Sequence, residues 1–528
     1  MYSSLDSLEA DVLKNIEQAN LSTALDLIIQ FVQYVIRDPK TSAVIFGSER
    51  LDRLCLAIGD AMVKKERTLI ACTLTAKNND SHVVTLATHL DRYGGHTLVI
   101  EDVIRAQPDK PHIILLTDLF NLADLESLAE RLSPIAELRV APRRSILEKM
   151  KWLLDQLRAI RPDRIILFNH HEDAVAIASM QPWLGSTKII FYHHADHALC
   201  LGVHLPKVIH IDPHNIGYKN CREHIGLKDN WYLPLVVQDR GARSAQLGFM
   251  RDGILRTCSS GTSNKFFQPY HHVYNELILK VLVVQSRIHF HIGNLSEDQL
   301  NSILTRLIAA GIDTCRFVHI PWVPSLWSAL KENKIDLYIS SFPLGGGRAS
   351  IEAMGSGTPL LIHESYLSRS HGGADLAYPE AFVWREPNEF YAYIDSINLE
   401  ILEDHSKRAR QHYEAHHLPQ IMASELHHIC AGEGSLTPPL LRSYIPDELQ
   451  KYLHVNANEK KSGAEHDAQI ASLSQTIAER DREIDTLHNE VDTIRNGINA
   501  LYHSTSWRVT APLRRARRLV DRLTDIKL

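Results

Sequence analysis

Several features that mark common protein classes are missing from this sequence of 528 residues. Its seven cysteines include no CxxC pair, and its first residues lack the charged and apolar regions of a secretory leader, so we expect a protein of the reducing cytoplasm. No apolar run approaches the roughly 20 residues of a membrane-spanning helix, so any membrane contact is expected from the surface. The formal net charge is only −6, which predicts no nucleic-acid partner. An anionic ligand must therefore be met by a local group of cations.

The chain is too long for one average core and divides by its hydrophobic pattern. Residues 1–66 carry apolar side chains at helical spacing and predict a helical N-terminal domain. Residues 67–245 and 246–435 each alternate short apolar strands with helical stretches, which predicts two α/β domains with doubly wound parallel sheets. The cleft between these two Rossmann-like domains is the expected ligand site.

The C-terminal part of the sequence, residues 436–528, lacks the alternation of strands and helices that the two α/β domains show. Residues 436–465 resemble a linker, and residues 466–503 repeat apolar side chains in steps of three and four, which predicts a coiled coil that pairs with a second copy or another partner. Residues 504–528 mix Trp507 and arginines with leucines. This tail is either a peripheral contact with the inner face of a membrane or a solvated basic helix end.

A glycine loop lies between a strand and a helix in the second domain. Gly345, Gly346 and Gly347 follow the apolar run KIDLYISSFP, and Arg348 and Glu352 open the helical pattern behind them. Free N–H groups and the dipole at such a helix start favour an anion. The alternative is an ordinary turn that needs glycine for its backbone conformation.

The first domain has its own glycine loop, Gly94 and Gly95, with His96 at the entrance of the next helix. We expect His96 to face the cleft, where it assists deprotonation of an acceptor hydroxyl or positions it, although a capping residue would have the same spacing. Asp196 and His197, from a neighbouring strand end, are expected to reach the same place. The predicted catalytic set is thus His96, Asp196 and His197.

Histidines cluster at two strand ends of the first domain. FNHHEDA contains His170 and His171, and FYHHADHA contains His193 and His197 four residues apart. A metal site would need further ligands, and no cysteine or carboxylate set completes one, so we predict no metal and favour acid–base or hydrogen-bonding roles.

Lys265 follows the short strand GILRTC of the second domain. A lysine at that strand end is expected to face the same cleft as the glycine loop and to meet a diphosphate as a point charge. The alternative is a solvated surface lysine.

These features together resemble the GT-B glycosyltransferases. The resemblance spans about residues 70–430, and EAMGSGTPLL is its most specific piece. It implies two facing Rossmann-like domains and a nucleotide-sugar donor held without a metal ion or other cofactor. The donor set it implies is Lys265, Gly345, Gly346, Gly347 and Arg348 for the diphosphate, Glu352 for the ribose, and Ser350 beside them.

Stereochemistry stays open. Many retaining members carry a glutamate eight positions before the ribose-binding one, where this chain has Leu344. SNKF and DRYGGHT resemble instead the inverting O-GlcNAc transferase and the bacterial adhesin glycosyltransferases, whereas RPDRIILFNHHEDA resembles the retaining group, in which a histidine after this strand contacts the donor sugar. The residues expected on the sugar and acceptor side are Gly94, Gly95, His170 and His171.

The tail STSWRVTAPLRR resembles the C-terminal ends of bacterial enzymes that build surface polysaccharides. The leading hypothesis is a bacterial glycosyltransferase that moves a hexosyl or N-acetylhexosaminyl group from a UDP-sugar or similar nucleotide sugar to a glycan or protein acceptor. Two alternatives are a nucleotide-sugar epimerase of the same fold and a catalytically silent assembly partner.

Overall fold

The computed structural model describes residues 2–38, 40–67, 82–92, 94–181, 184–244, 248–268, 270–366, 368–434, 436–453, 455–456, 480, 500 and 504–514. Residues 1–455 form one compact unit, and residues 456–528 form a second. The first apolar run of the predicted first α/β domain, RTLIACTLTA (67–76), lies almost wholly outside the described residues.

Among residues 2–38 and 40–67, three helices form the N-terminal region: α1 (Leu5–Glu17), α2 (Leu21–Arg37) and α3 (Glu49–Arg67). Their apolar faces share a core with the first sheet domain. Helix α3 comes so close to that domain that a Cβ on Gly59 would lie 1.8 Å from the Ala178 carbonyl oxygen. Buried Asp52 adds a polar tie, because it accepts hydrogen bonds from the Gly202 and His204 amides at 2.7 and 2.8 Å.

In its described residues, the first α/β domain is built on seven parallel strands in the order β3-β2-β1-β4-β5-β6-β7. The strands are β1 (Val83–Ala87), β2 (His112–Leu116), β3 (Glu137–Val140), β4 (Arg164–Phe168), β5 (Lys188–Tyr192), β6 (Ile209–Asp212) and β7 (Asn230–Tyr232). The helices are α4 (Gly95–Arg105), α5 (Leu125–Leu132), α6 (Ile146–Ile160), α7 (Ala174–Ala178) and α8 (Asn215–Asn220), which runs into a π-helical turn (Cys221–Ile225). Strands β1 and β2 are buried along their whole length, as expected of a parallel sheet covered on both faces.

The described part of the second domain has six parallel strands in the order β10-β9-β8-β11-β12-β13. They are β8 (Leu255–Ser260), β9 (Arg287–Ile292), β10 (Phe317–Ile320), β11 (Leu337–Ile339), β12 (Leu360–His363) and β13 (Phe382–Trp384). Its helices are α9 (Tyr274–Val283), α10 (Glu297–Ala309), α11 (Leu326–Glu332), α12 (Gly347–Ser356), α13 (Arg369–Gly372), α14 (Pro387–Ser396), α15 (Leu399–His416) and α16 (Pro419–Ala431).

Both sheets reverse their strand order once, between β1 and β4 and between β8 and β11. Open α/β sheets bind ligands in the crevices outside the carboxyl ends of the strands at such reversals.

Hydrogen bonds also connect the two domains: Lys188 on β5 donates to the Cys430 carbonyl of α16 at 2.8 Å, and His417 donates to the Leu235 carbonyl at 2.8 Å. The prediction of two doubly wound domains is confirmed.

The predicted linker begins as an ordered strap. Residues 436–447 run along the second domain, where the Arg442 amide donates to Asp375 at 2.9 Å, and a short helix covers 448–453. The rest of the linker and the predicted coiled coil lie outside the described residues, apart from isolated positions. In the tail, Arg514 lies 3.6 Å from the centroid of the Trp507 ring next to a short helix (Thr505–Val509). Within the described ranges, no helix combines the length and the apolar character needed to cross a bilayer.

Candidate functional site

A cavity of about 1140 Å³ lies between the two sheet domains. The first domain contributes the start of α4, the end of β5 and the segment after β6. The second contributes the loops after β8, β9 and β10 and the start of α12. The residues that border it include Gly94, Gly95, His96, His194, His214, Lys265, Trp322, Gly346, Gly347, Arg348 and Glu352.

The three glycines of the second-domain loop have different roles. Gly346 is the N-cap of α12 and Gly347 its first residue, and both border the cavity, so the unpaired N–H groups of this helix start lie at its wall. Gly345 does not border it: its amide donates to the His371 carbonyl at 2.6 Å, and a Cβ there would lie 2.2 Å from the Gly372 carbonyl oxygen. Gly345 is therefore glycine because another backbone packs against it.

Lys265 extends from a 3₁₀ turn (Ser263–Lys265) to the same helix start. Its Nζ lies 3.3 Å from the position that a Cβ on Gly346 would take. Burial lowers the pKa of Lys265, and among the described residues no carboxylate offsets that shift. A cation facing a positive helix end leaves the site in need of an anion.

His214 is a second basic group at this wall, and it is not among the residues predicted from the sequence. Its Nε2 lies 3.7 Å from the position of a Cβ on Gly347, and its Nδ1 donates to buried Asp196 at 2.8 Å. Burial disfavours the charged imidazole, but the charge and hydrogen bond of Asp196 outweigh burial and raise the pKa of His214. In return, although burial favours the protonated carboxyl, His214 holds the pKa of Asp196 below its ordinary value. A strand end precedes His214, in VIHIDPH, and was the available signal.

Glu352 borders the cavity from the second turn of α12. Its Oε2 accepts the backbone N–H of Trp327 at 3.0 Å, which fixes the carboxylate against the start of α11. Ser350 is buried and does not border the cavity, so the structure places it inside the helix packing instead of at the donor wall.

Arg348 borders the cavity with its guanidinium already engaged. It forms an ion pair with Asp102 of α4 and donates to the Val236 carbonyl at 2.9 Å. Its charge is thereby compensated by the opposite domain. The arginine predicted for a diphosphate instead ties the two domains together beside the site.

His96 lies at the cavity wall as predicted, within a group of histidines. Its ring stacks on His194 with centroids 4.1 Å apart and lies 5.4 Å from the ring of His170. Burial, with a smaller contribution from His170, lowers the pKa of His96 to about 3. The imidazole is therefore neutral near pH 7, which suits it to hold a hydroxyl by a hydrogen bond and makes it a weak proton acceptor.

Four other residues predicted for the first-domain side of the site, Asp196, His197, His170 and His171, do not border the cavity. Asp196 does not border the cavity and acts on it through His214. His197 is exposed, also does not border the cavity, and packs edge-on against His171 with centroids 4.9 Å apart. The expectation that His197 reaches the cleft is wrong, because the chain after β5 turns it away toward His171, whose Nδ1 donates to the Leu199 carbonyl at 3.0 Å. His170 and His171 are likewise absent from the cavity wall.

No model of a known protein family matches this sequence, and no curated protein matches it significantly. Solved structures resemble its fold. HepE from Anabaena, in complex with UDP-glucose, aligns with a TM-score of 0.52 at 12% identity over 66% of this chain and 99% of that chain. A glycosyltransferase from Rickettsia africae gives 0.52 at 10% identity over 68% and 100%.

A third similar structure is the lipopolysaccharide outer core galactosyltransferase WaaB, which aligns with a TM-score of 0.50 at 13% identity over 66% of this chain and 99% of that chain. At sequence identities this low, the structural similarity establishes a shared fold and nothing beyond it. The chain has the GT-B fold, with two Rossmann-like domains facing a cleft.

Proposed function

We propose that this protein is a glycosyltransferase that moves a sugar from a nucleotide-diphosphate sugar to a glycan or protein acceptor, without a metal ion at the diphosphate. The observation that carries the proposal is the group of positive charges at the start of α12. Lys265 lies over this helix start without a carboxylate partner among the described residues, and His214, whose pKa is raised, approaches it from the other domain. A diphosphate supplies the missing negative charge, and backbone N–H groups supply directional bonds to it.

The rest of the donor follows from where the diphosphate would lie. Glu352 borders the cavity farther along α12 than the glycines, and we assign it to a ribose hydroxyl. The loop after β10, including Trp322, borders the cavity next to the α11 start that Glu352 contacts, so we place the nucleobase there. HepE is a structure of the same fold with bound UDP-glucose, so a UDP-sugar is the first donor to test.

The proposed chemistry needs charge stabilisation at one point. When the bond between the sugar and the β-phosphate breaks, negative charge develops on the departing phosphate. Lys265, the imidazolium of His214 and the helix N–H groups would stabilise it there. His214 lies on the first domain, so this stabilisation depends on both domains being in place around the donor.

The acceptor would enter on the first-domain side. His96 and His194 border the cavity beside Gly94 and Gly95, and their neutral rings offer nitrogen lone pairs to an acceptor hydroxyl. In this proposal His96 positions the acceptor, Asp196 positions His214, and His197 has no role.

The experiment is to incubate the whole protein with hexosyl and N-acetylhexosaminyl UDP-sugars and candidate acceptors, and to measure UDP release together with the mass of the acceptor. Acceptor-dependent UDP release with a matching mass increase supports transfer. Interconversion of donor sugars without release would instead identify an epimerase. Donor binding without either reaction would identify a silent partner.

A further inference from the structure

A second group of reactive side chains lies buried in the first domain, away from the cavity wall. It joins His193 after β5, His210 and Asp212 on β6, and Cys221 at the start of the π-helical turn. All four residues are buried, and none borders the cavity. From this arrangement we propose that the protein holds a structural zinc ion bound by these four side chains.

The geometry of the four inner atoms carries the proposal. The Asp212 Oδ1 lies 3.3 Å from His193 Nδ1, 3.3 Å from His210 Nε2 and 3.1 Å from Cys221 Sγ. The sulfur lies 3.3 Å from His193 Nδ1 and 3.5 Å from His210 Nε2. The sixth separation, between the two imidazole nitrogens, is at most 4.8 Å.

These separations match the edges of a metal tetrahedron. Zinc binds nitrogen and oxygen at about 2.0–2.2 Å and sulfur at about 2.3 Å, so the edges of a regular tetrahedron are about 3.3–3.8 Å. Five of the six distances between the ligand atoms are equal to these edge lengths or slightly shorter. Each side chain offers one ligand atom to a common centre.

The charges of the four groups also suit a divalent ion in a buried place. With neutral imidazoles, a carboxylate and a thiolate, the ligands carry two negative charges, and Zn²⁺ makes the site neutral. On binding, Cys221 gives its proton to solvent and its sulfur electron pair to the metal. No other group changes its protonation, and no electron is transferred.

A supporting contact holds the carboxylate in place. Asn230 of β7 donates to the other oxygen of Asp212, Oδ2, at 2.6 Å, so Oδ1 faces the centre of the cluster. Such outer contacts orient ligands in metal sites. The cysteine opens a π-helical turn, an irregularity that aims its sulfur back at the strand ends.

The site has four protein ligands, and none of them borders the cavity. Structural zinc sites have such a closed set of four ligands, whereas catalytic zinc sites keep one position open for water or substrate. Its ligands flank His214, since Asp212 lies two residues before it and Cys221 seven after. Zinc would thus fix the segment that presents His214 to the start of α12. This inference does not depend on the proposed transfer reaction.

The sequence predicts no metal, because no cysteine or carboxylate set accompanies the histidines locally. Asp212 and Cys221 are 19 and 28 residues away from His193 along the chain. They meet it because β5 and β6 are neighbouring parallel strands, and His193 follows directly after the paired residue Tyr192. The pair His193 and His197, four residues apart, is not the one that the fold brings together.

The test begins with the full-length protein, produced without a polyhistidine tag in zinc-containing medium and desalted. Elemental analysis is expected to find about one zinc per chain. Replacement of the zinc by Co²⁺ is expected to give the intense visible bands of a tetrahedral site and a near-ultraviolet thiolate-to-cobalt band. Both measurements use the wild-type chain, so neither depends on how a variant folds.

Variants then locate the ion. Cys221→Ala and Asp212→Asn are expected to lose the zinc and the cobalt bands. Cys258→Ala removes an equally buried cysteine of the second domain and is expected to keep both. His170→Asn is the control for the histidine group at the cavity, since His96, His170 and His194 also lie close enough to share an ion.

Three results would overturn the proposal: wild-type protein without zinc, a cobalt spectrum lacking the thiolate band, or zinc kept by Cys221→Ala and lost by His170→Asn.

Discussion

Replacing Lys265 by methionine separates a ligand-binding role from a structural one. Methionine keeps an unbranched side chain of similar length and removes the ammonium group. In the free protein the Lys265 side chain is partly buried, burial lowers its pKa, and its ammonium faces the positive end of α12. Lys265→Met removes these unfavourable terms, so we expect the melting temperature of the free protein to stay unchanged or to rise.

Binding of UDP should respond in the opposite direction. A hydrogen bond to a charged group contributes about 1.5–3 kcal/mol, and each 1.4 kcal/mol is a factor of ten, so Lys265→Met should weaken UDP binding by about 10- to 150-fold. Titration calorimetry gives the affinity, and thermal unfolding with and without UDP gives the stability. The increase in melting temperature that UDP causes should shrink in parallel.

Lys331→Met is the matched control. Lys331 belongs to the same domain and donates to the Arg240 and Gly241 carbonyls at 3.1 and 3.0 Å, away from the cavity wall. It should bind UDP like the wild type. The reasoning is refuted if Lys265→Met binds UDP within about threefold of the wild type, or if its free form melts well below the control.

The remaining predictions concern the ribose, the acceptor, the pH dependence and metal ions. Glu352→Gln should weaken UDP binding by about tenfold, and calorimetry with equal affinities would remove Glu352 from the site. His96→Ala should lower single-turnover transfer by about 10²-fold at nearly unchanged donor affinity, whereas a normal rate would leave His96 a capping residue. The imidazolium of His214 contributes below its raised pKa and is lost as pH rises through it, so UDP affinity should fall as the pH passes this raised pKa, and Asp196→Asn should move that fall to lower pH; identical pH profiles would contradict the assignment. Brief treatment with EDTA should leave transfer unchanged, and a loss that magnesium restores would show a metal at the diphosphate.

The sequence predicted the architecture well because its signals are local. Apolar runs such as HIILL and RIILF are long enough to identify buried parallel strands, and the glycine loop with its following helix is contiguous. Short or partly exposed strands have a weaker local signal: Glu137–Val140 at one edge of the first sheet has an exposed start and half-buried residues, and Phe382–Trp384 spans three residues. Such segments form strands because a neighbouring strand is already present.

The site was predicted less completely, because its charges are compensated across long distances in the chain. Arg348 has the expected position, but its partner Asp102 lies on the opposite domain and cannot be inferred from spacing. His214 gains its raised pKa from Asp196, 18 residues earlier. A strand end shows which residues can reach a cleft, whereas the turn that follows decides which of them do, as His197 illustrates.

The most direct test of the account compares UDP with UMP binding to the wild-type protein. The two ligands share the nucleobase and ribose, so their difference isolates the second phosphate, which we place between Lys265, His214 and the start of α12. With at least one charge-assisted hydrogen bond to that phosphate, UDP should bind more than about tenfold more tightly than UMP. Equal affinities for UDP and UMP, or no binding of either, would contradict the central claim that this cleft holds a nucleotide diphosphate.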